Sequence, residues 1–186
     1  MSNQGYNFST ENGKVINFMA PDKEQIFLGD ISFSLSKTCR YVGETTHFYS
    51  MAQHSLNCCK MARELYDEKT GLYLILHDAV GSYISDAPQD LRNLIIEASN
   101  LERNLSMAVH HHFKLEYPIE NYRNRIWEIN GRILVNEISE VIPKLGYMLP
   151  EGLEPYYSTD LDFKERPIED VKKELEDTVN YLIKKI

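Results

Sequence analysis

The stretch GLYLILHDAV, residues 71–80, constrains this chain more than any other. It is apolar on nearly every face up to His77, so as a helix it has no side to give to water and must be wrapped by other elements. It then ends on an adjacent histidine and aspartate. Burying both side chains is costly unless a partner satisfies them, and a divalent metal is the usual one. The stretch therefore demands a surrounding helical domain and further donors from elsewhere in the chain.

The rest of the sequence supplies the helices. Asp30 stands as an N-cap before ISFSLSKTC. Ser50 and Gln53 form a capping-box signature for the next helix. Along it Leu56, Cys59, Met61, Ala62 and Leu65 face inward, and Lys60, Arg63 and Glu64 face outward. After the loop SYISDAP, Leu91, Leu94, Ile95 and Ala98 keep a helical period toward His112. A Pro118 turn precedes RNRIWEINGRILVNEISEVI, an amphipathic helix that Pro143 ends. Residues 144–166, rich in Gly, Pro and Tyr, read as a long loop in which Tyr147, Tyr156 and Tyr157 pack among themselves or form a lid. The segment 167–186 reads as a C-terminal helix opened by Pro167, with an apolar stripe of Ile168, Val171, Leu175, Val179, Leu182 and Ile186. The first stretch, GKVINFMAPDKEQIFLGD, mixes β-branched and turn residues. The expectation is a single all-α domain over 1–186, a helical bundle with a short extended N-terminal segment.

Charge and cysteine content narrow the partners. Twenty-eight acids against 20 bases give a net charge of −8. With no dense Lys/Arg cluster, a duplex nucleic-acid binder is not expected. No apolar run approaches membrane-spanning length, and the N-terminus lacks the basic-then-apolar pattern of a signal peptide. Three cysteines, two of them adjacent, argue against a disulfide framework and for a cytoplasmic setting. Cys39, Cys58 and Cys59 are expected as small apolar core residues, and a thiolate metal site is not. The run His110–His112 reads as a solvated or loosely packed helix end.

Several polar residues sit on otherwise apolar helices: His54, His77, Asp78 and Asn130, with Asp86 in the following loop. Two histidines and a carboxylate from separate helices suit Zn2+, Mn2+, Co2+ or Fe2+. By spacing alone, core histidines that simply hydrogen-bond are the commoner outcome.

The longer pattern FLGDISFSLSKTCRYVGETTHFYSMAQHS, LHDAVGSYISDAPQDLR, IWEINGRILVNE resembles the HD-domain phosphohydrolases. It is most similar to the small phage- and prophage-type members related to 5′-deoxynucleotidases, over roughly residues 14–140. The resemblance implies His54, His77 and Asp78 as ligands of a divalent metal (Mn, Co, Zn, Fe or Mg). It implies Asp86 as a loop acid, and Arg40 and Tyr41 as nucleotide-pocket residues, with His47 and Trp127 as further ligand-binding candidates. Trp127 stands where relatives often carry a lysine and can stack on a base or simply fill space.

Two positions depart from that pattern. The water-positioning glutamate of the family falls on Gly81, and its late metal-binding aspartate falls on Asn130. Asparagine offers an oxygen without charge, so the metal is expected to be weakened or absent. Glycine offers no side chain, and a positioned acid–base group contributes about 10²–10⁴-fold to rate. Glu44 and His110–His112 are the candidate replacements. The expectation is a degenerate HD domain, self-associating as relatives do, that binds a nucleotide or nucleotide-derived molecule with hydrolysis lost or impaired. For a phage-type pseudoenzyme in a host cytoplasm, that implies sequestering a nucleotide signal in counter-defence. The alternative is a working nucleoside-phosphate phosphohydrolase with a rearranged water-activating group.

Overall fold

The computed structural model describes residues 6–88, 96–118, 120–142 and 152–186, the side chains of 96–99 excepted. Among these the elements run β1 (Asn7–Ser9), β2 (Val15–Asn17), α1 (Leu28–Lys37), α2 (Met51–Leu65), α3 (Glu68–Leu76), α4 (Gly81–Ile84), α5 (Ile96–His112), α6 (Glu120–Glu140) and α7 (Ile168–Ile183). The class is all-α. The extended N-terminal piece is an antiparallel hairpin in which Phe8 pairs with Ile16. No described helix is long and apolar enough to cross a membrane.

Helix α2 is the spine. Its residues from Met51 to Cys59 are all buried, and its start is sealed by the capping box. Ser50 accepts from the Gln53 amide at 3.2 Å, and Gln53 Oε1 accepts from the Ser50 amide at 3.1 Å. The two-residue link Tyr66–Asp67 then turns α3 back onto α2. Asp67 caps α3 through the Thr70 amide at 2.6 Å. As its composition requires, α3 is buried from Thr70 to Leu76. Helix α7 lies against α1 and α3 through Val171, Leu175, Val179 and Leu182. A second apolar cluster forms where α2, α3 and α6 meet, from Cys58, Met61, Ala62, Leu74, Ile129 and Ile133.

Local details differ from the sequence reading for identifiable reasons. Asp30 does not cap α1; Phe27 holds that position without a side-chain bond. The Asp30 carboxylate is instead taken by the hairpin turn, accepting from Asn12 N at 3.0 Å and Nδ2 at 2.8 Å. Leu65, at the last turn of α2, is 39% exposed, and Ile186 beyond the end of α7 is 54% exposed. Pro167 is the residue before α7 rather than its first helical position. His110 is not solvated: it is buried, with Nδ1 on the Ser106 carbonyl at 2.7 Å and its ring against Tyr73.

Of the long loop expected over 144–166, residues 152–166 contain neither helix nor strand. Two asparagine side chains pin this segment by imitating strand pairing. Asn136 exchanges two hydrogen bonds with the Tyr156 backbone, at 2.9 and 3.0 Å. Asn57 does the same with Asp162, at 3.1 and 2.9 Å. Leu91, Leu94, Ile95, Pro143 and Tyr147 lie outside the described residues, as does the Ala98 side chain.

Candidate metal centre

The buried end of α3 delivers His77 and Asp78 to the side of α2 that carries His54. His77 Nδ1 donates to the Leu74 carbonyl at 2.6 Å. A carbonyl can only accept, so the proton sits on Nδ1 and Nε2 presents its lone pair. His54 Nδ1 donates to Glu137 Oε1 at 2.6 Å, which fixes the same orientation. The two Nε2 atoms then face each other at 3.4 Å. Asp78 Oδ2 stands 3.4 Å from the first and 3.7 Å from the second. A thiol joins them: Cys58 Sγ is 3.5 Å from His54 Nε2.

These separations suit a metal. Ligand bonds of about 2.0–2.1 Å around a tetrahedral zinc set nitrogen–nitrogen edges of about 3.3–3.4 Å. The ligand atoms of His54, Cys58 and His77 all lie within 4.8 Å of one another. This group can hold a metal ion. Both imidazoles also have the tie that metal-binding histidines ordinarily have, one to a carboxylate and one to a backbone carbonyl.

Electrostatics follow from burial. Burial holds His77 below its ordinary range despite Asp78. Burial and Arg40 also oppose a charge on His54, yet Cys58 and the Glu137 carboxylate outweigh them and lift it to about 10. Burial would raise Glu137, but His54, Arg40 and Tyr41 hold it down to about 2. Without a metal, a protonated His54 therefore faces a neutral His77 and Asp78. Burial pushes the Cys58 thiol up, and His54 only partly offsets this.

Arg40 closes the site. Its Nη1 is 3.2 Å from both Asp78 Oδ2 and Asp86 Oδ1, and Nη2 is 3.8 Å from Glu137 Oε2. Its Nε is buried with no hydrogen-bond partner among the described residues. Asp86 Oδ2 also accepts the Tyr41 amide at 2.7 Å, and the Tyr41 hydroxyl donates to Glu137 Oε2. The backbone that places these groups is left-handed at three successive residues, with φ of 56° at Tyr41, 57° at Val42 and 88° at Gly43.

The structure thus brings together Arg40, Tyr41, His54, His77, Asp78 and Asp86. His47 has both ring nitrogens engaged elsewhere, on Phe163 O at 2.7 Å and Thr46 Oγ1 at 3.0 Å. It lines a groove of about 1090 Å³ with Asn136, Tyr156 and Tyr157; His54, His77 and Asp78 do not line it. Trp127 is 67% exposed on α6. Asn130 is half-buried, two turns before Glu137 on the same helix. Glu44 is exposed at the end of the 40–43 turn. Gly81 faces the core: a Cβ there would meet Met51 Cε at 2.4 Å and Sδ at 2.8 Å. The space beside residue 81 is filled by a thioether.

Two site residues escaped the sequence reading. Cys58 follows His54 by four, one helical turn along the same face of α2, a spacing that carries the signal. Glu137 follows Asn130 by seven on α6, which again returns to one face. Among the described residues, Glu137 is the α6 side chain hydrogen-bonded to His54.

No protein-family model matches the chain. Over 106 residues it is 30% identical to the uncharacterized protein YfdR of Escherichia coli (strain K12), and the match takes in 57% of this chain. The chain likewise spans 57% of that relative's length.

Proposed function

We propose that this chain is a metal-centred binder of a nucleotide or nucleotide-derived phosphate, with hydrolysis strongly impaired. One observation carries the reading: two imidazole Nε2 atoms held 3.4 Å apart, each with its Nδ1 tied back. That arrangement is pre-built for a cation. The HD-type sequence pattern points to a phosphorylated nucleotide as what the cation would meet. When bound, a divalent cation there supplies Lewis-acid charge to a phosphoryl oxygen. Arg40, already 3.2 Å from the Asp78 oxygen, is the protein's own cation beside that position.

The impaired half of the proposal rests on where the carboxylates are committed. Glu137 is fully buried, with one oxygen on His54 and the other on Tyr41. Asp86 has one oxygen on Arg40 and the other on the Tyr41 amide. Both acids orient neighbours, so neither stands ready to take a proton from water. Position 81, where the HD-type sequence pattern carries an acid, is a glycine packed on Met51.

The test is to incubate Mn2+-, Co2+- or Zn2+-loaded protein with a panel of nucleotides and cyclic nucleotide signals. Solution and heat-released fractions are then separated by HPLC. A ligand depleted from solution and recovered unchanged on denaturation supports the binder. Steady product formation that His77→Ala abolishes overturns the impairment and makes the chain a phosphohydrolase. No depletion under any metal overturns the nucleotide reading altogether.

A further inference from the structure

We propose that Cys58 is a metal ligand, so that His54, His77, Asp78 and Cys58 form a soft site selecting Zn2+ or Co2+ over Mg2+ and Mn2+. The inference rests on the metal-centre reading above and names the metal class.

Geometry is the first support. Zinc–sulfur and zinc–nitrogen bonds of about 2.3 and 2.0–2.1 Å set a tetrahedral sulfur–nitrogen edge of about 3.6 Å. The Cys58 Sγ to His54 Nε2 separation is 3.5 Å. The edges from Asp78 Oδ2 to the histidines, at 3.4 and 3.7 Å, are of the same order. Cys58 is fully buried, in the α2–α3–α6 cluster with Leu74, Ile129 and Ile133.

Charge is the second support. A divalent ion held by two neutral imidazoles and Asp78 keeps one net positive charge in a buried place. On binding, the Cys58 S–H proton and the proton on His54 Nε2 both leave to solvent, a sulfur–metal bond forms, and the thiolate supplies the second negative charge. Thiolate with imidazole favours zinc and cobalt, whereas magnesium and manganese favour oxygen donors.

The experiment titrates the full chain with Co2+ under reducing, oxygen-free conditions and follows the absorption spectrum and the heat of binding. Expected is one equivalent of Co2+ giving visible tetrahedral bands together with a near-ultraviolet thiolate-to-cobalt charge-transfer band. That band persists in Cys59→Ser and disappears in Cys58→Ser. The Cys58→Ser protein binds Zn2+ at least ~10–100-fold more weakly and Mn2+ almost unchanged. Visible bands without the charge-transfer band overturn the role of Cys58 and leave the metal centre standing. No bands and no heat overturn both. If Cys58→Ser does not fold, the spectrum of the unaltered protein decides the matter.

Discussion

Glu137 accepts the Nδ1 proton of His54 at 2.6 Å, and both side chains are sealed from solvent. The pair joins α6 to α2 and sets which nitrogen of His54 faces His77. Replacing the carboxylate by an amide keeps shape but loses the charge that fixes the ring. Glu137→Gln is expected to weaken Zn2+ or Co2+ binding ~10–100-fold by calorimetry. Glu137→Ala is expected to cost about 3–5 kcal/mol in urea unfolding, because it strands His54 and Arg40 in the interior. Unchanged metal affinity in Glu137→Gln would show that the carboxylate does not orient the ligand.

The same pair predicts how the metal-free protein responds to pH. Glu137 is held at about 2 against an ordinary 4.5, so its contribution is complete above pH 4.5 and is lost as pH falls toward 2. His54 is lifted to about 10 from 6.5, so its contribution is complete below 6.5 and is lost as pH rises through 10. Each limb is on the order of a few kcal/mol. Burial depresses His77 and His110, which costs stability as the pH falls below 6.5, so urea midpoints measured from pH 3 to pH 10 are expected to peak near pH 6.5 and to fall on both sides. In Glu137→Gln the acid limb should flatten.

Arg40 faces Asp78, Asp86 and Glu137 together. Arg40→Ala leaves three carboxylates without their shared cation and is expected to cost about 3–5 kcal/mol. Loss of nucleotide binding in that variant therefore carries little meaning by itself. Arg40→Lys keeps one charge but cannot reach three acids at once. It is expected to remain folded and to lose the ligand-induced rise in Tm, read by thermal shift with and without nucleotide. A full rise in Arg40→Lys would remove Arg40 from the binding site.

Introducing the acids of the HD-type pattern, Gly81→Glu with Asn130→Asp, tests directly for gained hydrolysis, but Met51 stands in the way at residue 81. A side chain at 81 enters the space of Met51 Cε and Sδ. The double variant is expected to lose about 1–3 kcal/mol from overpacking and to gain no activity. Adding Met51→Ala opens the space, and phosphate release from a nucleotide should appear only in the triple variant. Turnover by the double variant alone would show that Met51 yields freely.

The helices and the first half of the site are legible in the sequence because they follow local rules. The Ser50–Gln53 capping box, the all-apolar α3 and the stripe of α7 each state their own geometry. His77 and Asp78 declare themselves by being polar at the end of a helix that cannot face water. Glu137 does not, because it sits in the charged run NEISE and reads as a solvated acid until α6 is docked on α2. Cys58 is hidden for the opposite reason: it is apolar enough to pass as core, and it does pack in the core. Asp30 misleads because an N-cap and a clamp on a distant turn use the same carboxylate oxygens.

The left-handed turn at Tyr41, Val42 and Gly43 has a consequence for motion. Outside glycine such backbone is disfavoured by roughly 1–2 kcal/mol per residue, most of all for a β-branched side chain such as Val42. The turn is held by Asp86 gripping the Tyr41 amide and by the hydroxyl of the same tyrosine on Glu137. Arg40 directly precedes it, so the guanidinium and the phenol are mounted on a single loaded spring. Loosening either anchor is expected to let the turn relax and to shift both groups together relative to His54 and His77.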